Sequence, residues 1–213
     1  AAIVNQPALD KSGVTASTKL IGGDVILKGG KPTGVLIDNA VDLVSANIPP
    51  ATDQQIKEGL IAAQQNCFAV GLTTIDDCGL SYENVLQLER ANQSGELKMR
   101  LYVMLSDAKN NYEAIFKRGM IKTDRLNVRS FKVYADGALG SRGACLLQPY
   151  ADKPGHLGFL LSNPEHFDSV AAVIYNKGFQ MCTHAIGASG NRTILNVYGK
   201  YLKEKNDLRW RIE

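Results

Sequence analysis

Thr52-Asp53-Gln54-Gln55-Ile56-Lys57-Glu58-Gly59-Leu60-Ile61-Ala62-Ala63-Gln64-Gln65-Asn66-Cys67-Phe68-Ala69-Val70-Gly71-Leu72-Thr73-Thr74-Ile75-Asp76 is the stretch on which the fold turns. Thr52 and Asp53 are helix-capping residues, and Ile56, Leu60, Ala63, Cys67 and Val70 recur at spacings of four and three, the period of a helix with one apolar stripe. Gly71 stops that helix, and Leu72–Asp76 then reads as a short buried strand. The same rhythm repeats downstream. Ser81–Gln93 reads as a helix, Met99–Leu105 as a strand, Asn110–Met120 as a helix and Val128–Asp136 as a strand. Asn163-Pro164-Glu165 opens another helix, with a capping Asn, Pro at the first helical position and an acid at the positive dipole end. Phe179–His184, Asn191–Glu204 and Leu208–Ile212 follow as strand, helix and strand. About five strands alternate with helices, which means βαβ units and a mostly parallel sheet. Five strands do not close a (β/α)8 barrel of roughly 250 residues, so the expected fold is α/β, either doubly wound or a partial TIM-type barrel.

Residues 1–50 read differently, as an attachment to the α/β unit of residues 51–213. Ala2–Ser12 is a short helix by composition. Gly22–Lys28 and Lys31–Ile37 read as a hairpin about Gly29-Gly30, a pair that supplies the positive φ angles of a tight turn. Asn39–Ser45 is a further short helix, and Pro49-Pro50 breaks the chain before the α/β rhythm begins.

Composition narrows the function classes. Of 213 residues, 45% are hydrophobic and 21% charged, a globular mix. Twenty-four Lys and Arg against 21 Asp and Glu give a net charge of +3, too small for a nucleic-acid or anionic-membrane footprint. No apolar run reaches the roughly 20 residues of a membrane span. The four cysteines are scattered without C-x-x-C spacing and read as buried free thiols. Ala1 has no basic leader behind it and Glu213 follows an alternating strand without a cap, so both ends read as cut from a longer chain. Cytoplasm and periplasm both remain open.

Three strand ends carry unusual polar groups, and in parallel α/β folds function gathers at such carboxyl ends. Lys132 alternates with Phe131 and Val133 inside a strand. It is either paired or bound to something in a central strand, or solvated on an edge strand. His184 ends its strand and runs into Ala185-Ile186-Gly187, the position from which an imidazole projects into a pocket as ligand or as ordinary polar group. Asp136-Gly137-Ala138-Leu139-Gly140-Ser141-Arg142-Gly143 reads as an anion cradle of glycine N–H groups with Arg142 alongside, or as a substrate-contacting loop. It matches neither the Walker A pattern nor the dinucleotide fingerprint. His156 and His166 read as incidental, the latter facing outward.

Ser130-Phe131-Lys132-Val133-Tyr134-Ala135-Asp136-Gly137-Ala138-Leu139-Gly140-Ser141-Arg142 resembles the fourth-strand segment of the amidohydrolase superfamily, in its YtcJ-like branch. Lys31-Pro32-Thr33-Gly34-Val35-Leu36, Thr183-His184-Ala185-Ile186-Gly187 and Arg209-Trp210-Arg211-Ile212-Glu213 fit the same family in order. The resemblance implies a partial (β/α)8 barrel, roughly strands 2 to 6, and a metal-dependent hydrolase of amide-like C–N bonds that uses a metal-activated water. It implies that Lys132, as a carbamate, and His184 hold a divalent metal, with zinc first in expectation, while Asp136 and Arg142 orient the substrate or the metal's surroundings. The first-strand His pair, the sixth-strand His and the eighth-strand Asp of the family lie outside this chain, which alone is expected to be inactive. Ala188 stands where the family carries Asp, and this favours the alternative of a binding scaffold that has lost its chemistry. The expected partners are a small amide-like substrate and, through the open sheet edges, further copies of the chain.

Overall fold

A computed structural model describes residues 1–213. Two sheets form, each with its own core. In the smaller, β1 (Ala2–Ile3) and β2 (Gly23–Lys28) flank β3 (Lys31–Asp38), all antiparallel. Gly29 and Gly30 both adopt positive φ in the turn between β2 and β3. The helix expected from Ala2 starts only at α1 (Gln6–Lys11), because Asn5 caps it by accepting the Ala8 N–H. The residues before Asn5 are thereby freed to pair with Val35 and Leu36. A single 3-10 turn (Asn39–Val41) and α2 (Asp42–Ser45) close a small core of Leu9, Val14, Val25, Leu36, Ala40 and Val44.

The larger unit alternates α3 (Asp53–Ala69), β4 (Thr74–Leu80), α4 (Tyr82–Gln93), β5 (Arg100–Ser106), α5 (Lys109–Arg118), β6 (Ile121–Lys122), β7 (Leu126–Tyr134), α6 (Pro164–Asn176), β8 (Gln180–His184), α7 (Ala188–Tyr201) and β9 (Arg211–Ile212). Strand order is β4-β5-β7-β8-β9, all parallel, with the two-residue β6 antiparallel beside β7. The sheet is rolled: Arg211 on the last strand reaches Asp76 on the first at 3.5 Å, and the Tyr134 hydroxyl donates to the Cys78 carbonyl at 3.1 Å. This is a partial barrel. None of its helices is long and apolar enough to cross a membrane.

The convex face holds the main core, where Val85, Ile115, Phe167, Ile174 and Ile194 of the helices meet Val103, Leu105, Phe131, Val133 and Met181 of the strands. Alternation along β7 is broken once. Val103 pairs with Val128 and Met104 with Ser130, so Arg129 is an extra residue that lets Val128 and Phe131 share the convex face.

Some boundaries move. The expected buried strand Leu72–Asp76 is instead Thr74–Leu80, an edge strand with no fully buried residue, because the Leu72 N–H is used by the Cys67 carbonyl in ending α3. The stripe of α3 is only partly covered, with Val70 72% exposed. The strand expected from Leu208 shrinks to Arg211–Ile212, since Arg209 takes a positive φ. The last helix starts at Ala188 rather than Asn191, leaving three residues between it and His184.

Candidate functional site

Lys132 lies on β7, the middle strand of the sheet, on the concave face, which removes the edge-strand reading. Its side chain is 5% exposed and its ammonium is paired with the Glu213 carboxylate. The alkyl stem is covered from β4 and β5: Gly79, with φ +127, sits where a Cβ would lie 3.2 Å from Ser106 Oγ and 3.8 Å from Lys132 Cβ. Nζ also stands 5.2 Å from the centre of the Tyr134 ring, a cation–π distance. Burial acts to raise the Glu213 pKa, but hydrogen bonds from Lys132 and Arg211 outweigh it and hold the carboxyl below its ordinary value. Glu213 keeps a second partner, since its Oε1 accepts from Arg211 Nε at 2.6 Å. Behind this pair, burial pushes the Cys182 thiol up to about 12, so it is an inert neutral group.

His184 ends β8, directly opposite Tyr134 in the parallel register, and the two rings are 5.6 Å apart. Lys132 and His184 therefore occupy adjacent strands at the same carboxyl end. Sheet geometry brings them there without any help from loops.

A groove of about 390 Å³ opens at these strand ends, bounded by Lys132, Tyr134, Ser106 and Asp107 from the strands and by Asp38 and Asn39 from the end of β3. Asp38 gave no signal in the sequence. It arrives from the hairpin unit, docked by the Asn39 amide donating to the Leu161 carbonyl at 3.0 Å. Its φ is +45, and its Oδ2 is buried without a hydrogen-bond partner against Gly137 and Gly143, where a Cβ would stand 1.9 Å away. Burial raises its pKa. The expected anion cradle of residues 136–143 thus receives a carboxylate of the chain itself, and its N–H groups at Gly137, Arg142 and Gly143 are bonded to carbonyls within the loop.

Asp136 is fully buried and bonded only to backbone N–H groups, of Cys145, Ile186 and Gly187. Arg142 is not brought to the groove. Its guanidinium is forked onto Asp152 at 3.1 and 2.7 Å on the surface. His166, expected to be incidental, bonds Asp107 Oδ2 through Nε2 at 2.6 Å, and the Tyr112 hydroxyl holds Asp107 Oδ1 at 2.9 Å. His156 is tied to the Arg142 carbonyl.

No three His, Cys, Asp or Glu side chains converge to hold a metal within this chain. Lys132 and His184 are compatible in donor chemistry with a divalent metal. An imidazole is a ready ligand, and a desolvated lysine that has lost its proton and taken up carbon dioxide presents anionic oxygens. The ammonium paired with Glu213 has no lone pair and is not itself a donor.

The Amidohydrolase family profile matches residues 1–213. The chain is 31% identical over 206 residues to YtcJ of Bacillus subtilis (strain 168), named as an amidohydrolase, covering 93% of this chain and 38% of that protein. It is 28% identical over 228 residues to Protein LONG AFTER FAR-RED 3 of Arabidopsis thaliana, covering 100% of this chain and 39% of that one. An uncharacterized metal-dependent hydrolase from Pyrococcus furiosus superposes with a TM-score of 0.71 at 22% identity over 99% of this chain and 42% of that one. One from Pyrococcus horikoshii OT3 gives 0.69 at 20% identity, over 93% and 40%. At such identities the likeness is one of fold. The chain spans about two fifths of the length of these relatives.

Proposed function

Because this chain belongs to the amidohydrolase family, we propose that the whole protein is a metal-dependent hydrolase of amide-like C–N bonds, with Lys132 and His184 among the groups that hold the metal. The observation that carries this reading is the burial of Lys132 in the central strand, two residues before Tyr134, which pairs with His184 at the end of β8. A bound divalent metal, zinc by preference for imidazole and oxygen donors, supplies acidification of water and polarisation of the scissile carbonyl.

The chain's own residues do the rest. The Lys132 ammonium loses one proton to solvent, and the nitrogen of the resulting amine bonds the carbon of carbon dioxide and loses a second proton to solvent, giving an anionic carbamate. Glu213 then turns to Arg211, which already holds its other oxygen, so two anions do not face each other. Tyr134 and Asp107 stand at the groove where the substrate's polar atoms enter. The test is hydrolysis of a panel of N-acyl and N-formyl amines by the whole protein. Turnover should disappear on chelation and return with Zn²⁺; turnover indifferent to chelation would overturn the reading. The 213-residue chain alone, with two of these ligands, should show no turnover.

The ion pair Lys132–Glu213 favours a second reading, in which Lys132 is scaffold and the unit binds without catalysis. Under it, Lys132→Arg keeps all function.

A further inference from the structure

Asp136 is a charged side chain with no solvent contact and no cation beside it. Its Oδ2 accepts the Cys145 N–H and the Gly187 N–H, each at 2.8 Å, and its Oδ1 accepts the Ile186 N–H at 2.9 Å. Gly187 is the cap residue of α7 and has no side chain to cap it, so Asp136 serves that helix end from across the fold. The Cys145 carbonyl in turn accepts from Ser189 and Gly190. Two glycines make the arrangement possible: a Cβ on Gly190 would lie 2.5 Å from Asp136 Oδ2, and one on Gly187 would lie 2.0 Å from the Cys145 carbonyl oxygen.

These contacts converge on His184. Its carbonyl accepts the Ala135 N–H at 2.8 Å, so the residue before Asp136 holds His184 and Asp136 holds the chain two and three residues further on. The His184 ring stands 5.6 Å from that of Tyr134, and the turn after it is also held by the Asn191 amide, which donates to the Ala185 and Gly187 carbonyls at 2.7 and 3.1 Å. A fully buried carboxylate with three N–H donors converging from two separate segments fixes that turn far more tightly than loop packing does.

We infer that Asp136 is a positioning residue for His184: it sets the path of residues 185–187 and thereby the direction of the imidazole. This rests on the proposed role of His184 at the site. It predicts that moving the Asp136 carboxylate misdirects the ring even where the fold survives. Asp136→Asn removes one acceptor and sets an amide N–H₂ against a backbone donor. Gly190→Ala leaves the carboxylate in place and pushes it off its donors, at a helical position that otherwise favours Ala.

The experiment compares the whole protein with D136N, G190A and the core control I194V, following the His184 ring signals by NMR and Zn²⁺ affinity by titration. Both D136N and G190A should shift and broaden the His184 signals and weaken Zn²⁺ about 10- to 100-fold, the usual effect of disturbing a ligand's supporting hydrogen bonds. I194V, which loosens α7 without touching Asp136, should do neither. Wild-type ring signals and affinity in folded D136N and G190A would overturn the inference, and G190A alone decides it if D136N does not fold. If the wild type binds no Zn²⁺, the proposed function fails, and the ring signals still decide whether Asp136 positions His184.

Discussion

The two faces of one rolled sheet do different work. On the convex side, Phe131 and Val133 are sealed against α5 and α6 in an apolar core, with Phe131 stacked near Tyr112, Phe116 and Phe179 at 4.4–5.7 Å. On the concave side, one residue along the same strand, Lys132 is equally buried and is matched with a carboxylate rather than with hydrocarbon. Burial on the convex side comes from fit. Burial on the concave side comes from pairing, at greater desolvation cost and with little net gain in stability.

Substitutions on the two faces should therefore fail in different ways. Phe131→Ala should cost about 3–5 kcal/mol, the usual loss for an aromatic removed from a packed core, and thermal melting of the whole protein should show it. A small loss would mean that the convex face is not the source of stability. In protein stripped of metal and carbon dioxide, where Lys132 is the ammonium paired with Glu213, Glu213→Gln should cost about 2–3 kcal/mol, below the range for fully buried pairs because Glu213 keeps some solvent contact. It leaves a buried ammonium without its carboxylate, so it should cost more than Lys132→Met, after which Glu213 still has Arg211. The reverse order in melting temperature would break the comparison.

Asp38→Asn should act with the opposite sign. The native carboxyl has its pKa raised above the ordinary 3.8 by burial, so the folded state holds its proton more tightly than the unfolded one, and stability is lost as pH rises through the folded pKa. Asn removes that loss, so the variant should melt at or slightly above the wild type at neutral pH and show a flatter pH profile just above 3.8. A clear drop in melting temperature at neutral pH would make Asp38 a structural latch. Arg142→Ala should change the melting temperature least, since its pair with Asp152 is solvent-exposed.

The convex face was legible in the sequence because period-two alternation and helical stripes are local signals. Its two irregularities were not. The extra residue at Arg129 and the shift at Gly79 arise from pairing between strands, which no single segment carries. Lys132 and His184 were legible as strand-end polar groups, since the topology alone places them together. Asp38 was not, because it reaches the groove from another sheet through contacts with residues about 100 positions away. Nor was the engagement of His166 by Asp107, 59 residues apart. The Asp136-to-Gly143 loop misled in a specific way: its glycines suggested room for an external anion, whereas two of them make room for the carboxylate of Asp38.

The central claim is that Lys132 acts through carbamate oxygens and not through its charge. Metal stoichiometry of the whole protein, measured for wild type, Lys132→Ala and Lys132→Arg after identical Zn²⁺ loading, tests it most directly. A guanidinium stays protonated and takes up no carbon dioxide, so both variants should lose bound metal alike, and acetate or propionate should restore part of it to Lys132→Ala only. Near-normal metal content in Lys132→Arg would contradict the account and leave Lys132 as the ion-paired scaffold of its strand.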